Sequence, residues 1–258
     1  MSLEQENFIK LGEIVNSLQE EIAGLRQEVA ALRVHMQSRH PYHFLDPRRY
    51  MEFLSSLETA RFCLDNMKDE NGVFLTFYEN PFDLLAVAAS KVSIDGLCLE
   101  FGVNAGTTIN IIANQLPERT IYGFDWFQGL PEDWRPEYRK GTFKRDIPEV
   151  RENVELVVGL FSDTLPQFLS QKAENIAFIH VDCDLYSSTK DIFELAHSRF
   201  VPGSIIVFDE FYRYLGWQQG EYKAFNELVE KIGMKYRFFG YSIEQVALEV
   251  LSVNNSCS

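Results

Sequence analysis

From Ile94 onward the chain alternates short, fully apolar runs with helical segments, and this alternation restricts the fold more than any other feature of the sequence. LCLEF (97–101), TIYGFD (120–125), ELVVG (155–159), NIAFIHVD (175–182) and SIIVFD (204–209) are strand-length runs without polar alternation. Helical patterns occupy Thr107–Gln115, Ser187–His197 and Tyr222–Lys231. A strand that is apolar on both faces is buried on both, as in a parallel sheet covered by crossover helices. KYRFFG and QVALEVL follow with no helix between them and are expected to pair as an antiparallel hairpin at one edge. The expected fold is α/β, a doubly wound, mostly parallel, seven-stranded sheet over residues 94–258. Ligands bind such sheets beyond the carboxyl ends of the strands, where the strand order reverses.

The turn after the first of these strands reads E-F-G-V-N-A-G-T-T, Glu100 to Thr108. A dinucleotide fingerprint requires glycine at the positions of Glu100, Gly102 and Ala105, and only Gly102 conforms. A carboxylate at Glu100 repels a pyrophosphate but suits a ligand with a positive end, such as the amino group and sulfonium of S-adenosylmethionine. Gly102 and Gly106 allow close backbone approach, and the helix beginning at Thr107 offers free N–H groups and a hydroxyl to a carboxylate. Asp125 ends the next strand, from which an acidic side chain reaches a ribose diol. Trp126 and Phe127 follow it and could flank an adenine.

Asp182 and Asp209 end two strands expected to be neighbours, so their tips bring Asp182, Asp209 and Glu210 together, with Asp184 close by. Converging carboxylates repel one another, and a divalent cation removes the conflict. Oxygen ligands without a His or Cys cluster suit Mg²⁺. Asp184 as a helix cap and Glu210 as a solvated side chain is the structural alternative. The stretch Gln128–Ile147 is too long for a simple crossover turn and is expected to form a lid.

The first forty residues form a separate element. Phe8, Leu11, Val15, Leu18, Ile22, Leu25, Val29, Leu32 and Met36 recur at spacings of three and four, with leucine at every d position. Glu21 and Glu28 fall at g, Arg26 and Arg33 at the following e, which fits a parallel pair of helices. Residues 1–39 are therefore expected to be a coiled-coil dimerisation helix, and 40–93 a connector or cap of two or three short helices. A net charge of −14 excludes an extended nucleic-acid partner. With scattered cysteines, no signal-peptide pattern and no membrane-length apolar run, a cytoplasmic protein is expected.

G-F-D-W-F-Q-G-L-P (123–131), G-L-F-S-D-T-L-P (159–166), H-V-D-C-D-L-Y-S-S-T-K (180–190) and V-P-G-S-I-I-V-F-D-E-F (201–211) resemble, in order, the macrocin O-methyltransferase family of class I, Rossmann-like methyltransferases. The resemblance covers about residues 95–230. It implies that S-adenosylmethionine is held by the Glu100–Thr107 turn (Glu100, Phe101, Gly102, Asn104, Gly106 and Thr107) together with Asp125, Trp126, Phe161, Ser162 and Asp182. It further implies that Mg²⁺ is bound by Asp182, Asp209 and Glu210, and that a small-molecule hydroxyl, such as a natural-product sugar, is the acceptor. The family usually has Gly at Cys183 and a second Asp at Glu210, so this chain lengthens one of the implied metal ligands by a methylene. Asp184 is the first choice for the base, with Asp182 beside it and Tyr212 and His180 behind. A catalytically silent scaffold organised by the coiled coil, and an NAD-dependent sugar reductase, are the competing readings.

Overall fold

The computed structural model describes residues 47–254, together with Ala23 and Arg26. The expected heptad helix therefore lies outside the described residues. The chain divides into two units, Met1–Leu54 and Ser55–Ser258. In the first, Ala23 and Arg26 are helical and exposed. The second carries the sheet. Among the described residues, no helix is long and apolar enough to cross a membrane.

Among the described residues the connector holds two helices, within the expected two or three, but the first is long and a short strand stands between them. Helix α1 spans Pro47–Asn66 and starts on a proline, whose missing N–H costs nothing in a first turn. Phe62 anchors it. The Phe62 ring meets Phe211, Tyr212, Trp217, Tyr222 and Phe238, with centroids 5.6–6.1 Å away. A turn closed by Gly72 N–H to the Asp69 carbonyl leads to β1, Thr76–Phe77. Helix α2, Pro81–Ser90, is N-capped by Asn80, whose Oδ1 accepts the Phe82 N–H at 3.1 Å.

The remaining elements alternate as expected, with one helix, α4, that was not expected: β2 (Leu97–Phe101), α3 (Thr107–Gln115), β3 (Ile121–Asp125), β4 (Val154–Val158), α4 (Phe161–Gln171), β5 (Ile176–Val181), α5 (Tyr186–Ala196), β6 (Phe200–Phe208), α6 (Glu221–Ile232), β7 (Lys235–Tyr241) and β8 (Val246–Ser252). They form one eight-stranded sheet in the order β1-β7-β8-β6-β5-β2-β3-β4. The eighth strand is β1, which pairs with the end of β7 and so displaces the hairpin from the edge at that point. Only β8 runs antiparallel to its neighbours. One core layer gathers Phe101, Phe124, Phe208, Phe211 and Phe225. The other gathers Ile109, Ile112, Phe178 and Val207.

The chain runs from β2 outward to β3 and β4, then returns to place β5 on the other side of β2. The order reverses between β2 and β5, and there the chains diverge above the sheet to leave a crevice.

Candidate functional site

Backbone bonds carry the strand register past the ends of the sheet and fix the crevice floor. Gly102 N–H donates to the Phe124 carbonyl at 2.9 Å, Asp182 N–H to Phe101 at 2.9 Å, and Asp209 N–H to Val181 at 3.0 Å. The tips of β2, β5 and β6 are thereby locked side by side. Gly102 has φ 97°, and a Cβ there would lie 1.7 Å from the Asp182 carbonyl oxygen. Only glycine fits that approach.

Above this floor lies a cleft of about 530 Å³. Of the residues expected to hold a cofactor, Gly102, Asn104, Asp125, Trp126, Phe161, Ser162 and Asp182 line it. Asp209, Glu210 and Asp184 line it as well. Asp125 is tied down by backbone: its Oδ2 accepts the N–H groups of Val103 (3.0 Å) and Asn104 (2.9 Å), and its Oδ1 that of Phe127 (2.6 Å). The carboxylate thus shapes the loops on both sides of the cleft. A carboxylate has about four acceptor positions, so one remains for a ligand.

Five expected site residues do not line the cleft. Glu100 does not face the cleft: it is fully buried, with Oε1 2.8 Å from His180 Nδ1 and Oε2 without a hydrogen-bond partner. Burial raises its pKa, and His180 opposes the rise. Phe101 is core, stacked on Phe124 at 4.7 Å, because a strand residue next to the tip still points into the layer below. Gly106 caps α3 with φ 78° and Thr107 is exposed; neither lines the cleft. Tyr212 is buried with its hydroxyl donating to the Ser242 carbonyl at 2.7 Å, and burial pushes that hydroxyl far above the ordinary tyrosine range. It is not placed to act as a base.

The acidic cluster is real. His180, Asp182 and Asp209 each offer a donor atom within 4.8 Å of the others. Glu210 is not part of that group, although it lines the same cleft, and His180, which was not among the expected ligands, is. Asp182 and Glu210 are raised well above the usual carboxylate range, first by burial and then by Asp209. Asp184 is raised to about 7 by burial and then by Asp209, against the pull of Arg135. It sits at φ 65° in a tight turn closed by Leu185 N–H to the Cys183 carbonyl, 2.6 Å. A non-glycine residue in that conformation is strained, and such strain gathers at functional sites.

Glu210 Oε2 and Glu221 Oε1 are buried without a hydrogen-bond partner. Orphaned carboxylate oxygens beside two more carboxylates are what a divalent cation would satisfy, so the residues present fit one. Oxygen donors dominate, which suits Mg²⁺ or Mn²⁺.

The sequence reading missed four contributors. Gln245, in the β7–β8 turn, donates to Asp209 Oδ1 at 3.1 Å. Glu221 enters from α6. Glu132 accepts the Ser187 hydroxyl at 2.5 Å, joining the long β3–β4 connection to α5. Arg135 lies over the Trp134 and Tyr214 rings, 3.7 and 4.0 Å from their centroids. Only the aromatic richness of 126–143 hinted at any of these. That connection does cover the cleft, through Gly129, Leu130, Pro131, Glu132 and Phe143. Its neck is pinched by Leu130 N–H to Thr142 (2.8 Å) and Gly141 N–H to Leu130 (2.9 Å).

Comparison with known proteins agrees with this geometry. The 8-demethyl-8-(2,3-dimethoxy-alpha-L-rhamnosyl)-tetracenomycin-C 4'-O-methyltransferase of Streptomyces olivaceus is 28% identical over a match covering 36% of this chain and 42% of that enzyme. The chain thus spans less than half the length of that curated relative. Among solved structures, the O-methyltransferase NovP superposes with a TM-score of 0.53 at 20% identity, covering 66% of this chain and 79% of that one. The calicheamicin methyltransferase CalS11 gives 0.50 at 23%, covering 66% and 77%. These two likenesses speak for the fold. Residues 99–211, which run from β2 past the tip of β6 and hold every carboxylate that lines the cleft, match the model of a methyltransferase domain.

Proposed function

We propose that the chain is an S-adenosylmethionine-dependent O-methyltransferase, assisted by Mg²⁺, that methylates a sugar hydroxyl of a natural product in the manner of the macrocin family. The observation that carries this reading is the juxtaposition of the glycine-floored crevice at Gly102 with the acidic tips Asp182 and Asp209. The name of the Streptomyces olivaceus relative, which methylates a rhamnosyl hydroxyl, supports the sugar acceptor.

Bound S-adenosylmethionine would supply an activated methyl group, and a cation held by these residues would supply Lewis-acid chemistry that lowers the pKa of the acceptor hydroxyl. The protein must then align that oxygen, exclude water and take up its proton. In this reading Gly102, Asn104 and Asp125 hold the amino-acid and ribose portions, while Trp126, Phe161 and Ser162 flank the adenine. Asp182, Asp209 and His180 hold the cation, with Glu210 close by, and Asp184 takes the hydroxyl proton. The loop over Leu130 and Phe143 excludes water. We further propose that residues 1–39 pair two copies of the chain, with 40–93 as connector and 94–258 as the catalytic domain.

The test is titration calorimetry with S-adenosylhomocysteine, then Mg²⁺, followed by methyl transfer to a rhamnosylated aromatic polyketide. Cofactor binding, a cation response and a methylated sugar are expected; absence of cofactor binding defeats the reading.

A further inference from the structure

Gln245 lies beyond the segment that matches the methyltransferase domain, 36 residues from Asp209. The antiparallel pairing of β6 with β8 sets Phe208 against Val246. One step further along both chains Asp209 and Gln245 stand opposite each other, where cross-strand side chains meet. Gln245 Nε2 donates to Asp209 Oδ1 at 3.1 Å, and its Oε1 accepts the Glu244 N–H at 3.2 Å. Those two bonds fix which way the amide points: turned over, it would set oxygen against carboxylate and N–H against N–H. The turn that carries Gln245 is held in its own right. Ser242 N–H closes it onto the Gln245 carbonyl at 2.8 Å, Phe211 N–H donates to the Glu244 carbonyl at 2.9 Å, and the Tyr212 hydroxyl donates to the Ser242 carbonyl. The Ser242 hydroxyl donates to the Tyr78 carbonyl at 2.7 Å, which ties the turn to the segment just after β1.

We infer that Gln245 is a positioning residue for the cation site, whose amide holds Asp209 by Oδ1 and so fixes the carboxylate in the orientation that meets Asp182 and His180. Asp209 brings a donor atom within 4.8 Å of those two. A carboxylate turns easily about its terminal bond, and one anchored oxygen stops that rotation while leaving the other to a cation. The backbone ladder places the Asp209 main chain, through its N–H to Val181, but says nothing of the side chain. Gln245 supplies that second constraint, from a turn too well braced to follow Asp209 if it swings. In metal sites, partners of this kind orient the groups that touch the ion, and their loss weakens binding about 10–100-fold. The inference rests on the cation reading above for its functional consequence, but not for the amide–carboxylate bond itself.

The test uses the full chain, with Gln245→Met to keep length and remove the donor, and Ile243→Ala as an exposed change in the same turn. Mn²⁺ binding is measured by calorimetry, and the electron paramagnetic resonance spectrum of the bound ion reports its coordination rather than the fold. Expected for Gln245→Met are Mn²⁺ affinity lower by about tenfold or more, an altered resonance spectrum, and unchanged S-adenosylhomocysteine affinity, with Ile243→Ala matching the parent in all three. Parent-like Mn²⁺ affinity and spectrum in Gln245→Met, or an equal loss in Ile243→Ala, overturn the inference and leave the cation reading standing. A parent chain that binds no Mn²⁺ overturns the cation reading, and with it the role assigned to Gln245. If Gln245→Met does not fold, Gln245→Asn, whose amide stops one methylene short, is judged by the same outcomes.

Discussion

Ser187 donates its hydroxyl to Oε1 of Glu132 across 2.5 Å, so the first turn of α5 holds the long connection that roofs the cleft. Both residues line that cleft. Ser187→Ala removes the bond while leaving the helix intact. The expected outcome is S-adenosylhomocysteine dissociation faster by about three- to tenfold, in line with a net contribution of roughly 1 kcal/mol for one exposed hydrogen bond. Stopped-flow displacement checks it.

Gly102→Ala forces a methyl group onto the Asp182 carbonyl. Because backbone, not a flexible side chain, stands in the way, relief requires β2 and β5 to separate at their tips. A loss of about 3 kcal/mol or more in urea unfolding is expected, together with loss of cofactor binding. Gly141→Ala serves as the comparison, since a Cβ there meets nothing within 4 Å, although its positive φ still adds some strain.

Asp125→Asn keeps the shape of the side chain but leaves one oxygen to accept what two now receive from Val103, Asn104 and Phe127. At least one backbone N–H loses its partner, a cost of about 1–3 kcal/mol. Weaker S-adenosylhomocysteine binding and a lower melting temperature should appear together.

Tyr212→Phe separates the sequence expectation from the structure. A tyrosine whose hydroxyl is committed to the Ser242 carbonyl contributes about 1 kcal/mol to stability and nothing to proton transfer. The variant should melt slightly earlier with kcat unchanged, whereas Asp184→Asn should lower kcat at least a hundredfold. Steady-state kinetics distinguishes the two.

Stability should depend on pH in an unusual direction. Asp182, Glu210 and Glu221 have folded-state pKa values raised well above their ordinary ones, and Asp184 is raised to about 7. A carboxyl group of this kind holds its proton more tightly folded than unfolded. Its contribution is full below the unfolded value near 3.8 for Asp184, and is lost as pH rises through about 7. The cation-free protein should therefore melt at lower temperature near pH 8 than near pH 5, and Mg²⁺ should restore the loss at the higher pH. Differential scanning calorimetry at both values, with and without Mg²⁺, measures it.

The strands around the site could be read from sequence because burial on both faces leaves an uninterrupted apolar run, as in LCLEF and IAFIHV. The meeting of Asp182 with Asp209 followed from neighbouring strands ending level. Strand β1 was not legible: two residues carry no periodicity. The full length of helix α1 was not legible, because Tyr50, Met51, Leu57 and Leu64 are exposed apolar side chains that blur a single face. Glu221 was invisible for a different reason, since an acid at a helix start ordinarily faces water, and only tertiary packing buries it here. Glu100 and Tyr212 were misplaced because sequence adjacency to a tip does not say which way a side chain leaves the backbone.

The pinched neck formed by Leu130, Gly141 and Thr142 bears on how tightly a guest can be gripped. A roof of comparable length with free ends would surrender conformational freedom each time a molecule arrived, at about 1–2 kcal/mol per residue stilled. Here much of that freedom is already gone once the chain has folded, so contacts made by Leu130 and Phe143 go almost undiminished into affinity.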